Sequence, residues 1–489
     1  MQTCWRRSTA RSRLRPSRQR SSAWCEVQMP AEITPSQRSM STASWLAVAA
    51  FVGILGGLAA VRDLQMLLVA GIAGIAFAAV VVRRFEVGLF ALLLTLPLDI
   101  YGRIISNPIP LTAFQVVLVA TLIAWAARIL TDAHRWLRLS AMDMGVLALV
   151  LAAFISATFS AAPGDTVYAA IRVMFLWMFM LLVENGIQEE KQLERYFGVL
   201  IATAVFFGLF GFAQQYVPGF NYGNTHQNLA LDGSVNLSRA AGLFEDPNMF
   251  AGYLSACFAA AFAFAVHARS RKRIMVLLGA TAVIGVGLVV TFSRTGWVGA
   301  LVGAIIVALT APKGRRIRIV SGGVVIILLA MLLAPGQVAE RAASIFDTER
   351  DLSNITRYGM YLSTVQMIKD DWVGGTGLAA FEQVYPDYRQ PGTILSVRKP
   401  HQLPIAFWAE MGVAGLAAEI LLVGALAALF WPRRGRPWTA FEAASLAGLV
   451  TLLSETFFQY YLYFEYLWLF VALCVVSSRL ARSSVKGVE

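Results

Sequence analysis

Long apolar runs, separated by short polar or basic stretches, dominate the hydropathy pattern of this chain. A run of about 20 apolar residues can cross the bilayer core as a helix. The pattern predicts spans at 44–61, 64–82, 85–100, 111–130, 142–161, 167–186, 196–217, 248–268, 274–292, 295–311, 318–334, 411–431, 438–457 and 463–478. Some of these runs are short or joined by tight turns. We therefore predict an all-α polytopic membrane protein with 12–14 transmembrane helices.

Basic residues between the spans predict the orientation. When the basic N-terminal tail is placed inside and the spans alternate, every strongly basic short loop falls on the same side, among them Arg83-Arg84, residues 269–273 and Arg433-Arg434-Gly435-Arg436. Cytoplasmic loops carry an excess of Lys and Arg. The pattern therefore predicts an even number of spans with both termini in the cytoplasm.

Two connections are too long to be simple turns, and both fall on the opposite, periplasmic face. Loops longer than about 12–15 residues are usually functional or disordered. The loop at about 218–247 is the shorter, and the loop at 335–404 contains aromatic and apolar runs that favour packed helices. The predicted domains are a basic disordered cytoplasmic tail (1–43), an N-terminal transmembrane bundle (44–334), a large helical periplasmic loop (335–404), C-terminal transmembrane helices (405–479) and a cytoplasmic tail (480–489).

The composition excludes several classes of protein. Hydrophobic residues make up 57% of the 489 residues and charged residues only 14%, whereas soluble domains have about 25% charged residues. The net charge of +12 lies in the tail and the short loops, so it does not indicate a nucleic-acid partner. The four cysteines lack the spacing of a metal or redox site. With no nucleotide-binding or metal-binding motif, the sequence predicts neither a metal nor another cofactor.

Three stretches on the predicted periplasmic face could carry chemistry. Arg239 precedes a Pro-Asn helix start at Asn248, Arg294 separates two apolar runs, and His401 ends the long loop. An arginine beside a helix N-terminus favours anion binding, and histidine can accept and return a proton near neutral pH. The alternative is that both arginines reach lipid phosphates at the ends of spans and that His401 is an ordinary loop residue.

Other polar residues are weaker candidates. Arg172, about five residues inside the sixth span, could be a third cation for the same anion or could extend to the membrane surface. Four basic residues of the long loop could bind phosphate or sugar: Arg357, Arg389, Arg398 and Lys399. Three acidic residues lie near membrane depth, where they could bind substrate or form polar contacts between helices: Glu410, Glu419 and Glu455.

Taken together, the three stretches resemble the family of O-antigen ligases and O-antigen polymerases, which are bacterial inner-membrane glycosyltransferases. The matching segments are RAAGLFEDPNMFAGYL (239–254), FSRTGW (292–297) and HQLPIAFWAEMGVAGL (401–416), and the segment that begins at Arg357 is also similar. The resemblance covers about 200–430 and rests on the order and spacing of the motifs. In this family the histidine is more often followed by Asn or Ser, whereas here Gln402 follows it.

The resemblance implies a fold, a reaction and its substrates. The fold is a multi-span helical bundle with one large periplasmic loop, in the inner membrane. The reaction moves a glycan from undecaprenyl diphosphate to an acceptor hydroxyl without a metal or nucleotide. Arg239 and Arg294 would hold the diphosphate, and His401 would serve the hydroxyl. We expect further substrate-binding residues at Arg172, Asn248, Arg357, Arg389 and Glu410.

Three acceptors stay open within this reading. Lipid A-core, which defines a ligase, ranks narrowly first, ahead of a second lipid-linked glycan, as in a polymerase, and a protein hydroxyl, as in an O-oligosaccharyltransferase. Two readings of other classes also remain. A transporter or lipid flippase would fit the number of spans, with Arg172 and Glu455 lining a path. A non-catalytic assembly protein would not depend on the three motifs.

Overall fold

A computed structural model of the protein describes the larger part of the chain. The described residues are 50, 64–98, 103–105, 111–131, 137–220, 222–223, 225–229, 235–316, 336, 338, 352–391, 393, 399–431 and 436–486. The predicted tail at 1–43, the predicted span at 318–334, Arg398 and all but residue 50 of the predicted span at 44–61 lie outside these residues.

The described part is a bundle of helices. In chain order the helices are α1 (Leu64–Arg83), α2 (Phe85–Thr95), α3 (Ala113–Thr131), α4 (Ala141–Ser156), α5 (Pro163–Gly186), α6 (Glu190–Tyr216), α7 (Pro247–His267), α8 (Arg271–Val289), α9 (Arg294–Thr310), α10 (Leu352–Asp370), α11 (Phe381–Tyr388), α12 (Leu403–Phe430), α13 (Ala440–Glu455) and α14 (Glu465–Lys486). Each predicted span within the described residues coincides with one of these helices. Seven of them are long and apolar enough to cross a membrane, and four others are shorter and apolar. The predicted all-α, multi-pass membrane fold is confirmed.

Two short antiparallel ribbons interrupt the helices, which the hydropathy pattern did not predict. One pairs β1 (Arg103–Ile105) with β2 (Leu111–Thr112). The other pairs β3 (Thr225–Leu229) with β4 (Val235–Ala240), within the shorter of the two long loops. β4 continues into the bundle, because the Ala240 amide donates a hydrogen bond to the Val290 carbonyl (3.1 Å) just after α8. The ribbon thereby fixes the loop against the ends of the helices.

The last three helices pack among the earlier ones. α13 lies against α7 and α9, α12 lies against α4, and α14 lies against α13 and α5. Close packing of α9 on α13 depends on Gly299, because a β-carbon there would overlap the Glu455 carboxylate. The last three helices therefore form one bundle with α4, α5, α7 and α9.

Arginine side chains cap helix C-termini at one end of the bundle, which we call the basic end. Arg315 donates hydrogen bonds to Val266 and Ala268 at the end of α7, and Arg479 donates to the Ile187 carbonyl after α5 (2.5 Å). Terminal carbonyls lack helical donors and carry partial negative charge, so guanidinium groups stabilise them. The opposite end, which holds the starts of α7, α9 and α12, is called the site end.

Helix boundaries differ from the hydropathy pattern where polar residues continue a helix. α12 begins at Leu403 rather than at 411, so Glu410 lies within it. α14 continues to Lys486, through residues that the sequence analysis assigned to a tail. Backbone hydrogen bonds extend a helix beyond the apolar run that marks its crossing of the membrane.

Candidate functional site

The starts of α7 and α9 lie side by side at the site end. Asp246 caps α7, and its carboxylate accepts a hydrogen bond from the Asn248 amide (2.6 Å). Ser293 caps α9 through a hydrogen bond from the Gly296 amide. Unsatisfied amides at a helix N-terminus attract anions. Two such ends lie together at the edge of the bundle, and the one at α7 is capped by the Asp246 carboxylate.

Asn248 joins two of the predicted segments, 239–254 and 292–297, although Asp246, not Asn248, caps the helix. Its side-chain Oδ1 accepts hydrogen bonds from Arg239 Nη2 (2.9 Å) and from Ser293 Oγ (2.8 Å). Arg239 Nε also donates to the Thr291 carbonyl (2.8 Å). The side chains of Arg239, Ser293 and Arg294 are all buried. The structure therefore brings Arg239 and Asn248 to the start of α9, where the buried Arg294 follows Ser293. We call Arg239, Asn248 and Arg294 the arginine site.

The turn that presents Arg294 is strained. Phe292 has a φ of 49°, a left-handed conformation that a residue with a bulky side chain rarely adopts. Such a conformation costs about 1–3 kcal/mol and persists only where the surrounding structure enforces it. Here Phe292 is buried, and the hydrogen bonds of Arg239 and Ser293 hold the backbone on either side. The position of Arg294 is thus fixed by its surroundings.

His401 lies just before α12, next to the turn between α13 and α14. The Leu403 amide donates to the Thr456 carbonyl (3.0 Å), and Gln402 Nε2 donates to the Arg357 carbonyl (3.2 Å). Burial, followed by the charge of Arg357, lowers the pKa of His401 to about 4. The charge of Asp246 and hydrogen-bonding contacts with Gln459 and the Phe458 backbone act in the opposite direction.

The imidazole of His401 is therefore neutral at pH 7. Its buried Nδ1 has no hydrogen-bond partner within the described part of the chain. The turn whose Thr456 carbonyl holds Leu403 also contacts the Asn248 carbonyl through Tyr461, so His401 lies near the arginine site. A neutral ring with an unpartnered nitrogen can accept a hydrogen bond or a proton from a bound molecule.

The turn at 456–464 connects the arginine site to α12, and the sequence analysis did not predict this role. Tyr461 Oη contacts the Asn248 carbonyl (3.0 Å) and Glu455 Oε2 (2.7 Å), and Tyr460 Oη donates to Glu410 Oε2 (2.6 Å). The signal available in the sequence was an aromatic, tyrosine-rich connection between the last two spans, on the predicted face of the other motifs. Its two neighbouring tyrosines hold the arginine site and α12 in a fixed relation.

Glu455 supports the arginine site from inside the bundle. Its Oε1 accepts a hydrogen bond from Ser255 Oγ (2.6 Å) on α7, and its side chain is 1% exposed. Through Tyr461 it is connected to the backbone of Asn248. The helix–helix polar contact considered for this residue is therefore present.

Glu410 anchors the described end of the long loop. Its Oε1 accepts from the Ala379 amide (3.2 Å), and its Oε2 accepts from Tyr460. Two residues later, α12 is broken at Gly412 (φ 58°, ψ −150°), where the Val413 amide donates to the Val373 carbonyl (3.2 Å). Residues 373–380 thus pack into the break, and this packing fixes the start of α12 that follows His401.

The other predicted substrate-binding residues occupy separate positions. Arg172 lies on α5 beside the ring of Tyr463, with its Cζ 4.9 Å from the ring centroid. Lys399 lies over the same ring, with its Nζ 5.1 Å away. Arg357 is half-buried on α10, and Arg389 is exposed at the end of α11. Roles for these residues and for Glu410 in substrate binding stay predictions.

An apolar groove of about 330 Å³ runs from the site end along α12, α13 and α14. Leu403 and Thr456, which flank the position of His401, form its upper end, and Leu426 and Leu449 lie farther down. Glu419 is the acidic group on its wall. Within the described residues, no three His, Cys, Asp or Glu side chains cluster as metal ligands would.

The comparison with known families gives one match. Residues 279–420 match the family model described as O-antigen ligase. A search of curated protein sequences found no match. The matched segment contains Arg294, His401 and Glu410, whereas Arg239 and Asn248 precede it. The match supports a role in glycan transfer for this multi-pass membrane protein. Over residues 279–420 the chain is therefore similar to the O-antigen ligase family, and the family resemblance drawn from its motifs is confirmed over that segment.

Proposed function

We propose that this protein transfers a glycan from undecaprenyl diphosphate to an acceptor hydroxyl on the periplasmic face of the bacterial inner membrane, with lipid A-core as the acceptor. The observation that carries the proposal is the arginine site. It places two buried arginines at two helix N-termini, next to a neutral histidine whose Nδ1 has no hydrogen-bond partner among the described residues. The O-antigen ligase match over residues 279–420 supports the same reaction.

The arginine site suits the leaving group. In the reaction, the acceptor oxygen attacks the anomeric carbon of the glycan, and the bond from that carbon to the diphosphate oxygen breaks. Negative charge grows on the diphosphate as it leaves as undecaprenyl diphosphate. Arg239, Arg294 and the helix N-termini would stabilise that charge more in the transition state than in the ground state. Arginine fits this role because it is always charged and binds phosphate through several donors.

His401 would receive the proton of the acceptor hydroxyl. Its pKa is about 4, so the ring is neutral and its Nδ1 can accept a hydrogen bond. A diphosphate bound nearby adds negative charge, which favours the protonated ring and raises its pKa. The donor would thereby increase the basicity of His401 when the acceptor needs it. A positioned base contributes about 10²–10⁴-fold to a rate.

The apolar groove suits the lipid chain of the donor. In the donor, the isoprenoid chain is joined directly to the diphosphate, so it must enter the membrane beside the phosphate-binding residues. The groove begins between Leu403 and Thr456, whose backbones are hydrogen-bonded beside His401. In lipid A-core, by contrast, several sugars separate the acyl chains from the acceptor hydroxyl. The proximity of the groove to the site favours the donor as its occupant.

The test is a surface-glycan profile of a deletion strain complemented with variants. We expect wild type to restore the glycan, and His401→Ala, Arg239→Ala and Arg294→Ala to fail at normal expression. Arg316→Ala is the matched control, since Arg316 is exposed at the basic end. If all three variants restore the glycan, the proposal is wrong.

The profile also identifies the acceptor. Loss of the glycan from lipid A-core indicates a ligase, a single remaining repeat indicates a polymerase, and an unmodified protein indicates an oligosaccharyltransferase. Uptake of a substrate into sealed vesicles that depends on this protein, together with full complementation by the three variants, would favour a transporter.

A further inference from the structure

Buried polar atoms without a hydrogen-bond partner gather around His401. Within the described part of the chain, four of them lie on three neighbouring segments: Thr356 Oγ1 on α10, His401 Nδ1 and Gln402 Oε1 before α12, and Gln459 Nε2 in the turn after α13. Nearly all buried polar groups in folded proteins have a partner, because an unpaired group loses its hydration without compensation. Several such atoms in one place therefore indicate a position where a polar molecule binds. We call these four residues the polar cluster.

Contacts between side chains hold the polar cluster together. The Gln459 side chain makes a hydrogen-bonding contact with His401, and it is only 7% exposed. Gln402 Nε2 donates to the carbonyl of Arg357 (3.2 Å), the residue after Thr356. The oxygen and nitrogen of a carboxamide are about 2.3 Å apart, as the bond lengths of an amide dictate. The unpartnered end of each glutamine therefore lies directly beside its partnered end.

His401 and Gln459 are close enough for one sugar ring to contact both. Gln459 raises the pKa of His401, as an acceptor of the ring proton does, so its oxygen faces the imidazole and its Nε2 lies just beyond. Across this contact, the two unpartnered nitrogens are at most about 8 Å apart. A sugar ring carries hydroxyl oxygens about 3–5 Å apart and adds a hydrogen bond of about 2.8 Å at each end, so it can span that distance.

The polar cluster combines donors with acceptors. The Phe458 backbone also raises the pKa of His401, which assigns the ring proton to the nitrogen that faces it and leaves a lone pair on Nδ1. His401 Nδ1 and Gln402 Oε1 therefore accept, whereas Gln459 Nε2 donates. The hydroxyl of Thr356 can do both. Hydroxyl groups of a ligand match this mixture, because each of them donates and accepts.

The polar cluster carries no excess of charge. The pKa of His401 is about 4, so the ring is neutral at pH 7, and the two charges that act on it, from Arg357 and Asp246, have opposite signs. An anion requires donors and positive charge, which the arginine site offers. The polar cluster instead suits an uncharged molecule with several hydroxyls.

A sugar acceptor fits this cluster better than a protein hydroxyl does. A serine or threonine side chain presents one hydroxyl, which would contact His401 Nδ1 and leave the amides of Gln459 and Gln402 unpaired. A sugar presents neighbouring hydroxyls, so one can react at Nδ1 while others reach the amides. A site with buried polar groups rejects a ligand that lacks their partners, because those groups then stay unpaired.

We propose that Gln459 recognises the acceptor sugar by donating a hydrogen bond from Nε2 to the hydroxyl next to the one that reacts at His401. Gln402 Oε1 and Thr356 Oγ1 belong to the same subsite and contact further hydroxyls of that sugar. This inference rests on the proposed function and deepens it, since it makes the acceptor a sugar rather than a protein side chain. Gln459 thus determines specificity and does not touch the reacting atoms.

The test pairs a variant of Gln459 with acceptors that lack one hydroxyl. Purified full-length protein in nanodiscs, without donor, is titrated with lipid A-core and with analogues from which single hydroxyls of the acceptor sugar are removed. A hydrogen bond to a buried group contributes about 10-fold to binding. We expect wild type to bind the analogue that lacks the hydroxyl next to the reacting one about 10-fold more weakly than lipid A-core. Gln459→Leu should bind the two equally, because the hydroxyl and its partner act as a pair.

Gln459→Glu separates recognition of the sugar from support of His401. Glutamate keeps an oxygen that faces the imidazole, but it replaces the amide donor with a second acceptor. Its negative charge should raise the pKa of His401 and shift the pH profile of transfer, and the preference for the complete acceptor should still be lost. If Gln459 only supports His401, this variant will keep the full preference, and the inference is overturned.

The matched control is Gln366→Leu on the exposed side of α10. The Gln366 side chain contacts Asp370 and not the polar cluster, so the variant should discriminate between the two acceptors as wild type does. A Gln459→Leu protein that elutes as a monodisperse species and discriminates equally well would contradict the inference.

The sugars of the donor are the other possible source of hydroxyls. If they occupy the polar cluster, Gln459→Leu will weaken binding of the undecaprenyl-linked glycan and will leave the discrimination between acceptors intact. That result also contradicts the inference.

Failure of the inference differs from failure of the proposed function. Transfer that survives Arg239→Ala, Arg294→Ala and His401→Ala refutes the proposed function. Transfer that depends on those residues, by a wild type that binds the complete and the deoxygenated acceptors equally, refutes only the sugar subsite.

Discussion

Asn248 offers the sharpest test of the arginine site, because a single side-chain oxygen atom, Oδ1, makes its contacts with the site. Oδ1 accepts hydrogen bonds from Arg239 and Ser293. Asn248→Asp keeps this oxygen and adds a negative charge. Asn248→Ala removes the oxygen without adding charge. Comparison of the two variants therefore separates the structural support that Oδ1 gives to the arginine site from the effect of an added negative charge on the electrostatic potential of the site.

The expected stabilities follow from the hydrogen bonds. In Asn248→Ala, Ser293 can still use Thr295, whose Oγ1 lies 3.0 Å away, so the loss falls mainly on Arg239. A buried donor left without an acceptor costs about 1–3 kcal/mol. We expect this variant to melt at a lower temperature than wild type. Asn248→Asp keeps both hydrogen bonds and pairs its charge with Arg239, so its melting temperature should equal or exceed that of wild type.

For binding of the donor, we expect the more stable variant, Asn248→Asp, to be the weaker one. An anion on the far side of the Arg239 guanidinium would lie roughly 6 Å from Oδ1, where two unit charges repel by about 3 kcal/mol at an effective dielectric constant of 20. This corresponds to about 100-fold weaker binding of the donor. We expect Asn248→Asp to show this loss although it is the more stable of the two variants.

The assay is donor binding and thermal melting of purified protein in nanodiscs. Gln188→Glu is the control for added charge, since Gln188 is exposed at the basic end. If Asn248→Asp binds the donor as tightly as wild type, Arg239 does not face the diphosphate. If it melts as low as Asn248→Ala, the oxygen of Asn248 does not support Arg239 as we argue.

Three further predictions concern stability. The pKa of His401 falls from 6.5 to about 4 on folding, so its neutral form stabilises the fold above about pH 6.5, and this contribution is lost as the pH falls toward 4. We expect the melting temperature of wild type to fall relative to His401→Gln across that window. Glu455→Ala should lower the melting temperature more than Glu455→Gln, because alanine offers no side-chain acceptor to Ser255 or Tyr461, whereas glutamine keeps one. Gly412→Ala should be strongly destabilising because its φ is positive and its backbone is crowded, whereas Gly424→Ala, in open space on the same helix, should be neutral or stabilising.

Each of the three stability predictions would be contradicted by a specific result. Parallel pH curves for wild type and His401→Gln would show that the imidazole is not buried as a neutral group. Equal melting temperatures for the two Glu455 variants would show that the hydrogen bonds of its carboxyl contribute no stability. If Gly412→Ala and Gly424→Ala behave alike, α12 continues through Gly412 without a break.

The sequence predicted most of the helices because lipid selects them by local composition. An apolar run near 20 residues must form a helix to satisfy its backbone in the bilayer, so hydropathy located α7, α8 and α9 to within a few residues. Hydropathy did not predict the polar ends of the helices. α12 begins eight residues before its apolar run, where the Leu403 amide is hydrogen-bonded to the Thr456 carbonyl. Hydropathy also did not predict the ribbon of β3 and β4, because five- or six-residue strands leave little periodic signal.

The sequence by itself determined which residues share the site end, since alternating spans place Arg239, Arg294 and His401 on one face whatever their partners. It could not determine their neighbours. For Arg172 the sequence left open a third cation for the same anion or an extension to the membrane surface, and its contact with the Tyr463 ring, which Lys399 shares, appears only in the structure. Ser255 and Glu455, which are 200 residues apart, share a hydrogen bond. Such contacts depend on how helices rotate and pack against one another. Only the tertiary structure fixes that arrangement, because the burial of apolar faces constrains it and the spacing of residues along one helix does not.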